Sequence, residues 1–215
     1  MPRTGWAPAA RFVRACAWAT LAGGLTACGG RTAPPPEPGT TRGPAPDLRG
    51  RTAMILPFQQ VVGVPGDIDA ELAFALGARG EGVRWVPPAD LDRALARSPS
   101  LQTRTRGLPV GQFLAAEVLR IGDPLFGEIF RLSSLVDAQA AVLPVQATLV
   151  REPDATHPRV RLTVALIEAR SGIVGWFGIL EGEPHPVDDP RLLASAVDQV
   201  VRNLLWYTLP RAGAS

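Results

Sequence analysis

Cysteine stops early in this chain: the two present are Cys16 and Cys28, and residues 29–215 have none. That stretch can form no disulfide, supply no thiolate nucleophile and offer no Cys ligand to a metal. A full hydrophobic core must do the stabilising there. Histidine is nearly as scarce, with only His157 and His185. His157 lies in a polar loop and His185 between two prolines. His185 could be joined to Asp188 and Asp189 as metal ligands, but proline flanks and acids at a helix start explain the three residues more simply. Lysine is absent altogether, since all 22 basic residues are arginine, a bias expected of a GC-rich genome. No Gly-x-Ser-x-Gly elbow, His-Glu-x-x-His helix or phosphate-binding loop occurs. The glycine-rich stretch at residues 77–82 follows a helical pattern and precedes a strand, the reverse of a dinucleotide loop. Asp67, Asp69 and Glu71 look like a carboxylate cluster, but acids in a first helical turn are expected electrostatically. The expectation is a protein that is not an enzyme, with no catalytic residue, no cofactor and no metal site.

Long hydrophobic runs are missing too. The longest, residues 15–25, is interrupted by Thr20 and by Gly23-Gly24. A spanning helix needs about 20 apolar residues. Arg3, Arg11 and Arg14 precede this run without a single acid. A basic start, a short apolar run and a small-residue site make a secretory signal. The site itself, Leu25-Thr26-Ala27-Cys28, resembles the bacterial lipobox, in which the cysteine becomes the lipidated first residue of the mature protein. Residues 1–27 are therefore expected to be a lipoprotein signal peptide, and Cys28 a lipid anchor in the bilayer. By resemblance to enterobacterial sorting, Gly29 rather than Asp after the cysteine favours the outer membrane, facing the periplasm. The anchor changes the charge. Without residues 1–27 the chain has 19 Arg against 20 acids, and from residue 52 onward 15 against 18. Such a chain has no general pull on phosphate backbones, so nucleic acid is not an expected partner.

Residues 28–51 hold six prolines with Gly and Thr between them and no apolar periodicity. They read as a tether with nothing to pack. Residues 52–215 carry the folded domain. Ala53-Met54-Ile55-Leu56-Pro57-Phe58 is an apolar run ended by a proline that reads as a buried strand. Asp67 is the N-cap of a helix with Ile68, Leu72, Ala75 and Leu76 on one face, and Gly80 is its stop. Val83-Arg84-Trp85-Val86 is the next strand, parallel to the first. Helices are expected at residues 89–97, 110–121 and 123–135, with an exposed loop at 98–109 that carries Arg104 and Arg106. Strands follow at 140–150, with Pro144 marking an edge or bulge, then at 159–168 and 173–182. The last helix, residues 190–206, has the stripe Leu193, Val197, Val200 and Leu204. The order gives an α/β fold: a single domain around a mixed five-stranded sheet, with a parallel βαβ start and an antiparallel C-terminal meander packed with helices.

Two stretches carry a resemblance. Leu56-Pro57-Phe58 ends the first strand and Val86-Pro87 the second. Leu166-Ile167-Glu168-Ala169-Arg170-Ser171-Gly172-Ile173-Val174-Gly175-Trp176 joins two strands through a short turn with an aromatic on the return. This pattern resembles periplasmic domains of the TolB amino-terminal, curli-secretion lipoprotein and penicillin-binding-protein activator lipoprotein group. The resemblance spans most of residues 53–206 and departs from the group at 98–135. It implies a non-catalytic protein-interaction or assembly module in the cell envelope, with an envelope protein as partner. It offers no catalytic residue to carry over. A small-ligand-binding lipoprotein is the alternative. The curli-secretion members build a pore, but no free pair of alternating ten-residue segments is present here.

The 159–182 hairpin separates core from partner face by parity. A turn centred on Arg170 and Ser171 pairs Val164 with Phe177 and Leu162 with Ile179, and puts Phe177 in the core. Trp176, Arg161 and Leu180 then share the second face, the expected partner surface.

Overall fold

Among the described residues a seven-stranded mixed sheet organises the fold, against five strands expected. The computed structural model describes residues 40–41, 45–115 and 118–209. Leu25, Thr26, Ala27 and Cys28 lie outside them, as does the signal segment. Strand β1 is Thr40–Thr41, β2 Thr52–Ile55, β3 Gln60–Val62 and β4 Arg84–Val86. Strands β5, β6 and β7 are Ala140–Val150, Arg159–Glu168 and Val174–Glu181. The helices are α1 Ile68–Arg79, α2 Pro88–Ala96, α3 Gly111–Ala115, α4 Leu125–Val136 and α5 Arg191–Thr208. The sheet order is β1-β7-β6-β5-β2-β4, with β3 also on β5. β2 is parallel to both β4 and β5, while β5, β6 and β7 form an antiparallel meander. The two strands not expected from sequence are only two and three residues long, too short for alternation to reveal them.

Helices cover the sheet unequally. α1 and α5 lie on one face. Their Leu72, Leu76, Leu193, Val197, Val200 and Leu204 form a single cluster with Ile55, Val142, Val160, Leu162, Val164 and Leu166. α2, α3 and α4 lie on the other face, over Met54, Leu56, Ala141, Leu143, Val145, Ala165 and Ile167. The α1 caps follow the sequence. Asp67 accepts the Ala70 N–H at 3.0 Å. Gly80 ends the helix at φ −89°, so its need for glycine is steric rather than left-handed. A Cβ there would stand 2.4 Å from the Trp85 indole nitrogen.

Two expectations about residues 98–121 fail. Of the helix expected at 110–121 the described residues keep α3, and Arg120 instead bridges Ile173 as extended chain. Gly111 at its start and Gly122 after it leave little helix propensity to hold a longer one. The 98–109 loop is not wholly exposed: Thr105 and Leu108 are buried. Gln59 holds it, accepting the Leu108 N–H at 2.9 Å and donating to the Thr105 carbonyl at 3.0 Å.

The packed region also starts earlier than residue 52. Leu48 is fully buried in the α5 cluster, and its N–H donates to the Thr208 carbonyl at 3.0 Å. Pro46 lies so close to β7 that a Cβ on Gly175 would stand 2.6 Å from its Cδ. A single leucine among prolines carries no periodic signal, which is why residues 45–51 look like tether in the sequence.

Candidate functional site: an uncovered half of the sheet

The register of β5 changes at its middle. Pro144 pairs with Val164 and Gln146 with Thr163, so Val145 is an extra residue. This is the bulge that Pro144 signals, in a strand paired on both sides rather than at an edge. Pro144 has no N–H for the ladder, and its carbonyl accepts the Gln59 N–H at 3.1 Å. β2 pairs with β5 before the bulge and β3 after it. The bulge divides the α4 face into two halves. The first half is core. Beyond the bulge, Val62 and Ile179 on that face are about half exposed, while Thr163 is buried.

Two cross-strand rungs define this second half. One runs Gln60, Gln146, Thr163, Ile179 across β3, β5, β6 and β7. The next runs Val62, Thr148, Arg161, Glu181. Paired residues in neighbouring strands share a face, and residues two apart along a strand repeat it. Val62 is 54% exposed and Ile179 49%. Val61 pairs with Ala147 and so lies on the opposite face of β3, where it is 48% exposed. The side chains of Gln60 and Gln146 are joined by a hydrogen bond of 3.2 Å. Phe177 borders the rungs, half-buried and stacked on Phe113 at 6.0 Å between ring centroids.

Charge on this surface is settled within the chain. Arg161 pairs with Glu181 at 2.6 Å, and Arg159 reaches Glu181 at 3.2 Å and Glu152 at 3.3 Å. What the half-face offers a visitor is therefore amide, hydroxyl and apolar surface beside an open strand edge. Such an edge is a template for pairing with another chain.

The expected partner residues divide. Arg161 lies on this surface. Trp176 and Leu180 do not: both are fully buried, in the cluster under α5. The physical reason is a second bulge. Ile167 pairs with Val174, as a turn at Arg170-Ser171 requires, but Leu166 pairs with Trp176 and leaves Gly175 extra. One added residue exchanges the faces of everything after it. Val164 then meets Gly178 rather than Phe177, and Leu162 meets Leu180 rather than Ile179. Trp176 turns inward, where its indole N–H donates to the Asn203 side-chain oxygen at 3.0 Å. Phe177 turns to the α3 side. The strongest signal for this inversion is Asn203, a polar residue inside the otherwise apolar stripe of α5, which needs a buried partner.

The other candidates resolve into structural roles. Asp69 accepts the Phe58 N–H at 2.7 Å and pairs with Arg106 at 2.7 Å. Asp189 accepts the Arg191 side chain and backbone N–H, hydrogen bonds that hold its carboxyl at about 2. Among the described residues no group of three or more His, Cys, Asp or Glu is placed to hold a metal ion. No helix among them is long and apolar enough to cross a membrane. An open groove of about 470 Å³ lies over α4, lined by Ser98, Ser100, Leu101, Phe130, Arg131 and Leu135. Beside it Arg131 pairs with Glu128 at 2.9 Å. Burial raises the Glu128 carboxyl, but the Thr103 hydroxyl, the Arg131 charge and hydrogen bond, and the Arg104 N–H outweigh it and hold the pKa below the ordinary value.

The chain matches no protein-family model and no curated protein. Solved structures resemble it at a distance. The PelC dodecamer from Paraburkholderia phytofirmans is 16% identical with a TM-score of 0.42, over 81% of this chain and 97% of that one. Lipoprotein GNA1162 from Neisseria meningitidis is 14% identical with a TM-score of 0.41, over 72% and 97%. The LpoB C-terminal domain from Salmonella enterica is 15% identical with a TM-score of 0.38, over 62% and 83%. Structures from the lipoprotein group that the strand ends and hairpin resemble are thus among its neighbours. At these identities and scores the likeness assigns no partner and no activity to this chain.

Proposed function

We propose that this chain is a cell-envelope lipoprotein, anchored in the outer membrane through lipid on Cys28, whose α/β domain binds another envelope protein without catalysing a reaction. The observation that carries the binding function is the uncovered half of the sheet. Val62 and Ile179 are about half exposed there, beside the outer edge of β3. Exposed apolar groups of this kind, rimmed by paired charges, fit a protein partner better than solvent. The anchor rests on Leu25-Thr26-Ala27-Cys28 with its basic, apolar lead. A small ligand would have the α4 groove, which is open rather than enclosing and in which the Arg131 Nη2 already pairs with Glu128 while its buried Nε has no hydrogen-bond partner.

Site-specific photocrosslinking in the native envelope tests the surface. A photoreactive residue at position 62 or 179 should give one discrete protein adduct. The same residue at the exposed position 170, in the β6–β7 turn, should give none. Equal labelling from all three positions, or adducts only from 170, would remove the sheet half as the binding surface. Mass spectrometry of the mature amino terminus tests the anchor, and an unmodified terminus would contradict it.

A further inference from the structure

Helix α1 carries the most exposed large apolar side chain among the described residues: Phe74 is 74% exposed. At 3.6 residues per turn it stands opposite Leu72 and Leu76, which α1 buries in the α5 cluster. Ala70, Gly77 and Ala78 surround it on the outer face, all exposed. Nothing lies within 4 Å of the place a Gly77 Cβ would take, so the ring projects from a low surface. Acids frame this face. Asp67 caps the start of α1, Glu71 lies on the flank of Phe74, and Glu81 follows the Gly80 cap. Among the described residues none of the three has an ion pair; Arg79 and Arg106 pair with Asp198 and Asp69 instead.

The groove over α4 has the complementary character. Leu101, Phe130 and Leu135 give it apolar walls, and at about 470 Å³ it has room for an aromatic ring. Phe130 is itself exposed there. Arg131 is matched by Glu128. Arg97 precedes the lining residue Ser98, and the Arg104 backbone N–H donates to the Glu128 carboxylate, so both stand beside the groove. Both are exposed, and among the described residues neither has an ion pair.

We propose that the Phe74 face of one copy of this chain docks in the α4 groove of a second copy. Phe74 then lies beside Leu101, Phe130 and Leu135, and Asp67, Glu71 and Glu81 face Arg97 and Arg104. One chain cannot make this contact by itself, because α1 and α4 lie on opposite faces of the sheet. The contact is therefore head-to-tail rather than two-fold, and it can repeat along more than two copies. A symmetric contact between two α1 helices is opposed by charge, since it would set the three acids against the same three. None of these residues belongs to the uncovered half of the sheet. The contact is thus independent of the partner proposed there and of the anchor at Cys28.

A single helix face makes a small contact of the transient class, so the full chain is tested by photocrosslinking in the native envelope. A photoreactive phenylalanine analogue at position 74 should give an adduct with the mass of two copies. Peptide mapping should place its second end within residues 98–135. Glu71→Arg with Glu81→Arg should lower the yield at least about fivefold, by setting like charges together. Adding Arg97→Glu and Arg104→Glu to that chain should restore the yield to within about twofold of the parent. Repair by changes on the other side of the sheet reports the contact and not the folding of α1. An adduct joined anywhere else on the second copy, α1 included, would overturn the inference. So would an adduct with a different protein, no adduct at all, a yield unmoved by the first pair of substitutions, or a loss that the second pair does not restore.

Discussion

The two faces of the sheet are made from the same strands and meet different ends. The α1–α5 face is apolar from Val160 to Leu166 along β6 and is covered there by both helices. The opposite face is continuously apolar only as far as the β5 bulge, beyond which Gln146, Thr148 and Arg161 stand beside the half-exposed Val62 and Ile179, and the helices of that face pack on the residues before it. The coincidence is physical. A helix over Gln146 and Thr148 would bury amides and hydroxyls without enough partners, at about 1–3 kcal/mol for each unsatisfied group. One face is therefore a core, and the other is half core and half working surface. Adjacent residues of β7 fall on either side of this division: Trp176 belongs to the complete face and Phe177 to the incomplete one.

The largest effect should come from breaking the complete face. Trp176→Ala removes a fully buried indole and leaves Asn203 without its bond, at a cost of about 3–5 kcal/mol in denaturant unfolding. Leu48→Ala should follow at about 2–5 kcal/mol, because Leu48 is as buried as any core leucine. By the same reasoning a chain that begins at residue 52 should unfold at a lower denaturant midpoint than one that begins at residue 40, contrary to what the proline-rich composition alone suggests.

Gly178→Ala sharpens the comparison at the place where the faces exchange. Its Cβ would meet the Trp176 ring at 2.6 Å and Leu180 Cδ1 at 2.4 Å. Overpacking of that kind should cost about 1–3 kcal/mol. Phe177→Ala, at the border of the open half, should cost less than Trp176→Ala, about 1–2 kcal/mol for a half-buried ring. A Phe177 loss equal to or above that of Trp176 would reverse the assignment of faces. At the small end, Ile179→Ala should stay within about 0.5 kcal/mol of the parent.

Much of this fold is written in the sequence. α5 is legible because Leu193, Val197, Val200 and Leu204 repeat at helical spacing, and each is buried. The parallel β2–α1–β4 start follows from a buried strand, the Asp67 cap and the proline after Val86. The candidate site is less legible, for a particular reason. Strand alternation tells which residues share a face only while the count is unbroken, and Gly175 and Val145 each add one. Neither residue advertises a bulge by itself. Arg161 is on β6, which carries no extra residue, and so stays where parity puts it, whereas Trp176 and Leu180 follow the extra Gly175 on β7 and change sides. The strap at Pro46 and Leu48 is hidden for a different reason: its contacts are with β7 and α5, more than a hundred residues away, and a lone leucine has no period.

The central claim is that the open half of the sheet serves binding and contributes little to folding. The double variant Val62→Glu, Ile179→Glu measures both at once, through its denaturant midpoint and through photocrosslinking from position 60 in the native envelope. The account predicts a midpoint close to that of the parent and loss of the discrete adduct. A fall in midpoint as large as that of Trp176→Ala, or an adduct that persists undiminished, would contradict it.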